Sequence, residues 1–303
     1  MKIIQSMIIV FLLLGMSACA VTFTDDTGAE FQLDAAPENC AVLFSSFAEM
    51  YTLAGGEVKI TVYESIDRGF AAPNAVLVDG GAGKQINAEL LIAAKPDFVI
   101  CSMDIAAQAR AAELLKRAGI PAAQFSVESF GDYLRVLNVM CKITGEFDAY
   151  TEYGEAQREE IVSVIEAAGN SASAGKSVLF VRAGSTQDST KAKRSEDHFA
   201  AEMLRELGCE NIADGALPGG ALSMEAIIER DPEFIFFSLM GNEEAARSNV
   251  ENMLKSAPWS SLSAVRNGKY AVLPRELFHF KPNQRWAEAY RYLFAILEGG
   301  EAE

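Results

Sequence analysis

The sequence is poor in the residues that metal and proton chemistry need. It holds two histidines, His198 and His279, in 303 residues. Its five cysteines form no Cys-x-x-Cys pair and no Cys/His cluster, which argues against a structural zinc site. A carrier of bare Zn²⁺ or Mn²⁺ is disfavoured on the same count, because such sites draw on several histidines with carboxylates. Gly-x-Gly-x-x-Gly, a Walker phosphate loop, a Gly-x-Ser-x-Gly elbow and His-Glu-x-x-His are all missing. No catalytic residue can be named, although carboxylates could serve an enzyme as acid and base. Cations are scarce as well: 26 Lys and Arg face 42 Asp and Glu, for a net charge of −16. Such a surface repels nucleic acid and anionic headgroups, which excludes a DNA or RNA partner and electrostatic docking to a membrane.

Half of the residues are apolar and 22 % are charged, the balance of a folded globular chain with ample core, and the length fits about two domains. The first residues run Met1-Lys2, then apolar from Met7 to Leu14, then small to Cys19. A positive start, a short apolar stretch and a small-residue exit read as an export signal over residues 1–18, too short for a comfortable membrane span. Leu14-Gly-Met-Ser-Ala-Cys19 resembles a bacterial lipobox, with Met16 where Leu is usual. The resemblance implies that Cys19 carries a diacylglycerol, and two acyl chains hold a protein to a membrane where one does not. The competing reading is an uncleaved anchor helix with an incidental cysteine. Export would permit a disulfide between Cys40 and Cys101, but buried free thiols fit a domain of this size better.

The two halves repeat each other. Residues 87–100 and 223–236 each carry a cap (Asn87, Ser223), a Glu two positions on (Glu89, Glu225), an apolar helix face, then proline (Pro96, Pro232), an acid and a β-run. The Glu-to-Pro interval is seven residues in both. The cap and the first-turn acid suit a helix start, and the proline ends the helix and extends the chain. Around these units, strands are predicted at 41–44, 58–62, 75–78, 124–127, 177–181 and 270–273, and helices at 46–53, 106–118, 199–207 and 283–297. The alternation argues for parallel sheets covered by helices. Between the halves, Tyr150, Tyr153, Gln157, Ile161, Val164 and Ile165 recur at helical spacing. The expected organisation is therefore α/β: a lobe over 19–144, a bridging helix over 145–170 and a lobe over 171–303, each lobe Rossmann-like. A single doubly wound domain with an irregular helix is the alternative.

With these segments in order, the chain resembles the substrate-binding proteins of ABC importers for iron-siderophores, haem and cobalamin. The resemblance rests on Val21–Gly28, Cys40–Glu49 with Leu53-Ala-Gly55, Ile86–Ile100, Leu207–Ile212 and Trp259–Gly268. It implies two lobes joined by one long helix, a ligand cleft between them, and an ABC permease dimer with its ATPase as partner. It also implies that Glu89 and Glu225, one per lobe, dock onto permease arginines. The plainer reading of both is a first-turn acid that serves only the helix dipole.

Ligands of α/β lobes sit at strand carboxyl ends. That places Ser46 and Phe47, Gly80-Gly81 and Ser102–Asp104 on the first lobe, and Arg182 to Ser185, Ser238–Met240 and Pro274–Arg285 on the second. Two basic stretches stand out there, Lys191–His198 and Phe278–Trp286. From them come the ligand candidates Lys191, Lys193, His279, Lys281 and Arg285, beside Ser46, Phe47 and Arg182. Cations in so acidic a chain point to an anionic small-molecule metal chelate. The plainer readings are a solvated loop for Lys191, Lys193 and Arg194, helix-face core for Trp286, and a capping role for His198. An iron-siderophore fits the basic loops best. Haem comes second, with His279, Met240 or a tyrosine on iron, and cobalamin third. No resident cofactor is expected. An enzyme and a sensor lipoprotein are the rival classes.

Overall fold

A computed structural model of the chain describes residues 20–80, 85–216 and 222–300. The expected signal segment 1–18, Cys19 and Gly81 lie outside the described residues. The chain opens on an antiparallel hairpin, β1 (Val21–Thr24) and β2 (Glu30–Leu33). Five parallel strands follow: β3 (Cys40–Val42), β4 (Ile60–Thr61), β5 (Val76–Leu77), β6 (Phe98–Ser102) and β7 (Ala122–Phe125), in the order β5-β4-β3-β6-β7. The second sheet comprises β8 (Ser177–Ala183), β9 (Lys191–Ala192), β10 (Glu210–Asn211), β11 (Phe234–Leu239) and β12 (Tyr270–Val272). Its parallel order is β10-β8-β11-β12, with β9 antiparallel on β8.

Side-chain alternation explains why the strand sequences are continuously apolar. In β6, Phe98 and Ile100 enter one core while Val99 and Cys101 enter another. In β11, Phe234 and Phe236 face one side and Ile235, Phe237 and Leu239 the other. Each sheet is thus covered on both faces. The inner core is common to the two lobes: one contiguous cluster runs from Phe23 through Tyr133, Ile161 and Phe180 to Trp286 and Leu297.

The repeated units are alike down to the backbone. Asn87 caps the helix Ala88–Ala93 by accepting from Leu90 N, and Ser223 caps Met224–Arg230 by accepting from Ala226 N. Leu91 and Ile227, two residues after each Glu, are fully buried. Lys95 and Asp231, just before each proline, both adopt the left-handed conformation (φ 52° and 38°).

Two long helices were not foreseen from the sequence. Phe130–Thr144 starts on a Ser129/Asp132 capping box and buries nine residues spread around its circumference, which hides the amphipathic period. Glu243–Lys255 buries only Ala246, Val250 and Met253, a stripe too thin to read.

The expected bridge forms one helical run from Asp148 to Gly169, but it is not uniformly α-helical. Thr151–Glu155 make a π turn between Asp148–Tyr150 and Ala156–Gly169. The Tyr153 carbonyl accepts from the Tyr133 hydroxyl (2.8 Å) and from Gln157 Nε2 (2.5 Å). Side chains competing for a helix carbonyl are a standard cause of such a bulge. Gly154 belongs to the same contact: a Cβ there would lie 2.9 Å from Leu134 Cδ2, so glycine lets the bridge press against Phe130–Thr144.

Cys40, Cys101, Cys141 and Cys209 are free and buried, with no disulfide between Cys40 and Cys101. Burial pushes the Cys40, Cys101 and Cys209 thiols up to about 12 and Cys141 up to about 11. His198 is withdrawn from solvent too. Its Nδ1 accepts from Ala200 N (3.2 Å), capping the helix Phe199–Glu206, and its ring packs on Phe180 and Phe199. Burial, and then the charges of Lys281, Arg182 and Lys193, hold it well below the ordinary histidine range.

Two expectations follow. A chain starting at residue 20 should leave all four thiols unreactive to a disulfide reagent when native and expose four in urea. Early labelling of Cys40 or Cys101 would show that the inner strands open. For His198, the unfolded chain binds a proton below about pH 6.5 that the native chain refuses, so this group removes stability as pH falls through that point. His198→Asn keeps a capping acceptor without the titration. Its melting temperature should therefore drop less than that of the wild type between about pH 7.5 and about pH 5.5. Equal drops would show that His198 does not titrate on unfolding.

Candidate ligand cleft

Each sheet has a point where the strand order reverses, and at such points the connections leave in opposite directions and open a crevice at the carboxyl ends. In the first lobe this point lies between β3 and β6, in the second between β8 and β11. The first is braced by buried Gln108, whose Nε2 donates to the Leu43 carbonyl (2.6 Å) while its Oε1 accepts from Ser102 N (2.8 Å). Phe44, Ser45, Met103 and Asp104 lie at its mouth. The second carries Arg182 at the end of β8 and Met240 after β11. There the His279 Nδ1 lies 2.8 Å from the Leu239 carbonyl. A carbonyl only accepts, so Nδ1 holds the proton and Nε2 keeps its lone pair, the state in which imidazole binds metal.

The two edges meet through a small set of contacts. Glu128, three residues past β7, accepts from Phe199 N at the start of a second-lobe helix (3.2 Å) and pairs with Lys281 Nζ (2.8 Å). The Lys281 ammonium also sits 4.8 Å from the Phe199 ring centroid, and the Lys281 backbone N–H donates to Ser46 Oγ (3.3 Å). Asn283, buried and left-handed (φ 50°), donates from Nδ2 to the Ser46 carbonyl (3.0 Å). Phe280 lies between guanidiniums of both lobes, Arg68 at 4.0 Å and Arg275 at 5.2 Å from its centroid. Arg68 in turn is paired with Glu49 (2.7 Å) in a mostly buried ion pair, where burial lowers the arginine and raises the carboxylate against their mutual attraction.

Among the described residues the Arg182 side chain makes no hydrogen bond and no ion pair, although the residue is partly buried. Burial lowers its pKa, and only the more distant charge of Glu128 opposes this. His279 is likewise held down, by burial first and then by Arg275 and Arg182. An under-compensated guanidinium beside a neutral imidazole with a free lone pair is chemistry for an anion that bears a metal or ring system.

The structure brings some of the predicted ligand residues together and disperses others. Arg182, Lys193 and Lys281 lie closely enough for their charges to bear on His198, and His279 faces the same ring. Ser46 reaches this cluster, but its hydroxyl and carbonyl are engaged by residues 281 and 283. Phe47 is a correction: it is buried in the inner core against Phe44 and Phe125, because the helix Ser45–Leu53 turns that position inward. Lys191 is exposed and borders a groove with Asp188, Met224 and Trp259 next to the second repeat helix. Arg285 is exposed and forked onto Glu288 (2.6 Å), so its charge serves the start of the last helix. Arg68, Glu49 and Glu128 were missed. Glu128 had a signal, since it follows an expected strand at the carboxyl edge. Arg68 and Glu49 had none, because only packing joins a loop arginine to a helix glutamate. A cavity of about 520 Å³ beside Glu128 is lined by Asp132, Glu196, Glu202 and Asp214, with Arg194 and Arg205 already ion-paired, so an anion is not its match. Glu89 and Glu225 are both exposed, each in the first turn of its repeat helix.

No curated protein matches the sequence. Solved structures match the fold over nearly their whole lengths. A periplasmic haem-binding protein, RhuT, from Roseiflexus shares 16 % identity at a TM-score of 0.71, covering 86 % of this chain and 98 % of that one. The siderophore-binding protein BauB shares 14 % at 0.72, covering 94 % and 99 %. The periplasmic vitamin B12-binding protein BtuF of Vibrio cholerae shares 17 % at 0.69, covering 87 % and 97 %. The sequence profile of the family described as periplasmic binding protein matches residues 40–277, from β3 almost to His279, and its members are binding proteins, not enzymes. That span includes both sheets and the bridge, and the chain belongs to the periplasmic binding protein family.

Proposed function

We propose that this chain is the ligand-capturing component of an ABC importer, held outside the cytoplasmic membrane by a lipid on Cys19, and that its cargo is an anionic ferric chelate of siderophore type. The observation that carries this reading is Arg182, a partly buried guanidinium without a partner at the reversal point of the second sheet. Arg275 and Lys193 add positive charge nearby, in a chain whose net charge is −16. The bonds to Glu128 and Ser46 hold the lobes face to face while leaving Arg182 free. Neighbours that bind siderophore, haem and vitamin B12 support the ligand class. Haem is the second reading, favoured by the His279 lone pair and by Met240 beside it. Glu89 and Glu225, exposed at equivalent places on the two lobes, are the docking acids for the permease. Single exposed pairs are weak, so they act on register and encounter more than on affinity.

Native mass spectrometry of the protein with ferric siderophores, haemin and cobalamin separately should show one-to-one binding of a single class. Arg182→Ala should weaken a siderophore by about tenfold to a hundredfold, the scale of one charge-assisted bond. Unchanged affinity would remove Arg182 from the site. If haemin binds instead, His279→Ala should change its absorption spectrum. In cells, Glu89→Ala with Glu225→Ala should abolish uptake while ligand binding persists, and normal import by the double variant would refute the docking role.

A further inference from the structure

The docking reading assigns one acid to each lobe, but the duplicated units share more than the acid. Ile92 follows Glu89 by three residues, and Ile228 follows Glu225 by three. That spacing puts acid and isoleucine on the same face of each short helix. Both isoleucines are solvent-exposed, at 39 % and 46 %, whereas the residue just before each, Leu91 or Ile227, is fully buried. Beside each helix runs a groove lined by the residues three and one before the acid. Ile86 and Ala88 line one of about 380 Å³ in the first lobe, and Leu222 and Met224 line one of about 250 Å³ in the second. Exposed apolar residues scattered singly need no explanation. The same exposed residue, at the same offset from an exposed acid and with a groove beside its helix, on both halves of a duplicated fold, is not scatter.

We propose that Ile92 and Ile228 are the apolar half of two equivalent docking units, each inserting into an apolar hollow beside the basic residue that receives the neighbouring glutamate. The occupant is a partner that offers this basic-plus-apolar spot twice, as the paired subunits of a permease do. Two copies of a weak contact engaged together bind far more tightly than either alone. Charge sets approach and register, and burial of the isoleucines supplies the affinity. The proposal rests on the docking role of Glu89 and Glu225 and extends it.

A photo-crosslinking benzoylphenylalanine placed singly at Ile92, Ile228, Glu89 or Glu225, and at exposed Val162 on the bridge as control, tests both layers in membranes of the source cells. Mass spectrometry should identify integral-membrane permease subunits in adducts from Ile92 and from Ile228, and none from Val162. In parallel, Ile92→Ser with Ile228→Ser should raise the protein concentration needed for half-maximal uptake by about tenfold or more, with ligand binding and melting temperature unchanged. Permease adducts from Glu89 and Glu225 but not from the isoleucines, or wild-type uptake by the double serine variant, would overturn this inference and leave the docking acids standing. No permease adduct from any of the four positions would overturn both.

Discussion

The arrangement of this molecule depends on a joint near residue 283, where both lobes and the bridge share one core. Trp286 is completely buried among Phe130 and Tyr133 of the first lobe and Phe199 of the second, with ring centroids about 6 Å away. One turn earlier, Asn283 donates to the Ser46 carbonyl of the first lobe, while its own carbonyl accepts from Gln157 of the bridge (3.2 Å). Gln157 also accepts from Ala287 N in the last helix (3.2 Å). Close-packed interiors resist small displacements, so a joint of this kind holds the lobes at one angle and permits only modest rocking. The left-handed backbone at Asn283 is the conformational cost, and asparagine tolerates it better than most residues.

Because the joint brings the two carboxyl edges together, a chain of strongly negative net charge acquires a locally basic seam. The cations there differ in their availability. Lys281 is engaged by Glu128 and Arg68 by Glu49, and in these positions they hold lobe to lobe and helix to loop. Arg182 is engaged by neither, and His279 is held as a neutral ring with one lone pair directed away from Leu239. Paired and unpaired cations thus occur side by side at one seam. Basic loops by themselves do not tell paired cations from unpaired ones: Lys191 borders a separate groove, and Arg285 is committed to Glu288.

Pseudo-symmetry serves a second surface. The unit of cap, acid, buried apolar residue, exposed isoleucine, left-handed turn and proline occurs once in each lobe. Its helix ends just before the left-handed residue and the proline, so the strand that follows leaves at a fixed interval from the acid. A duplicated fold thereby carries two like units on its exterior while its interior edges differ in their side chains. Under the proposed docking role, recognition of cargo at the strand ends and recognition of a membrane partner at the exposed acids fall to different residues.

Much of this was legible in the residues. The αβ alternation, the repeat around Glu89 and Glu225, the bridging helical run and the family resemblance follow from local rules of periodicity, capping and proline, which act over a few residues. The capping reading of His198 and the core reading of Trp286 were readable for the same reason, and the free thiols from the size of the chain, which needs no covalent staple. The buried helix Phe130–Thr144 was not, since apolar residues on nearly every side leave no period to detect. Nor was the π turn, which arises because Tyr133 and Gln157 reach one carbonyl from outside and inside the bridge. The cleft needed tertiary structure most. Strand ends nominate many residues, but whether a side chain there meets a ligand, a partner carboxylate or the core depends on contacts between residues 71 to 237 positions apart. Local pattern determined which elements form and where their ends lie; only packing of the two lobes around Asn283 and Trp286 decided which of those ends face each other and which charges remain free.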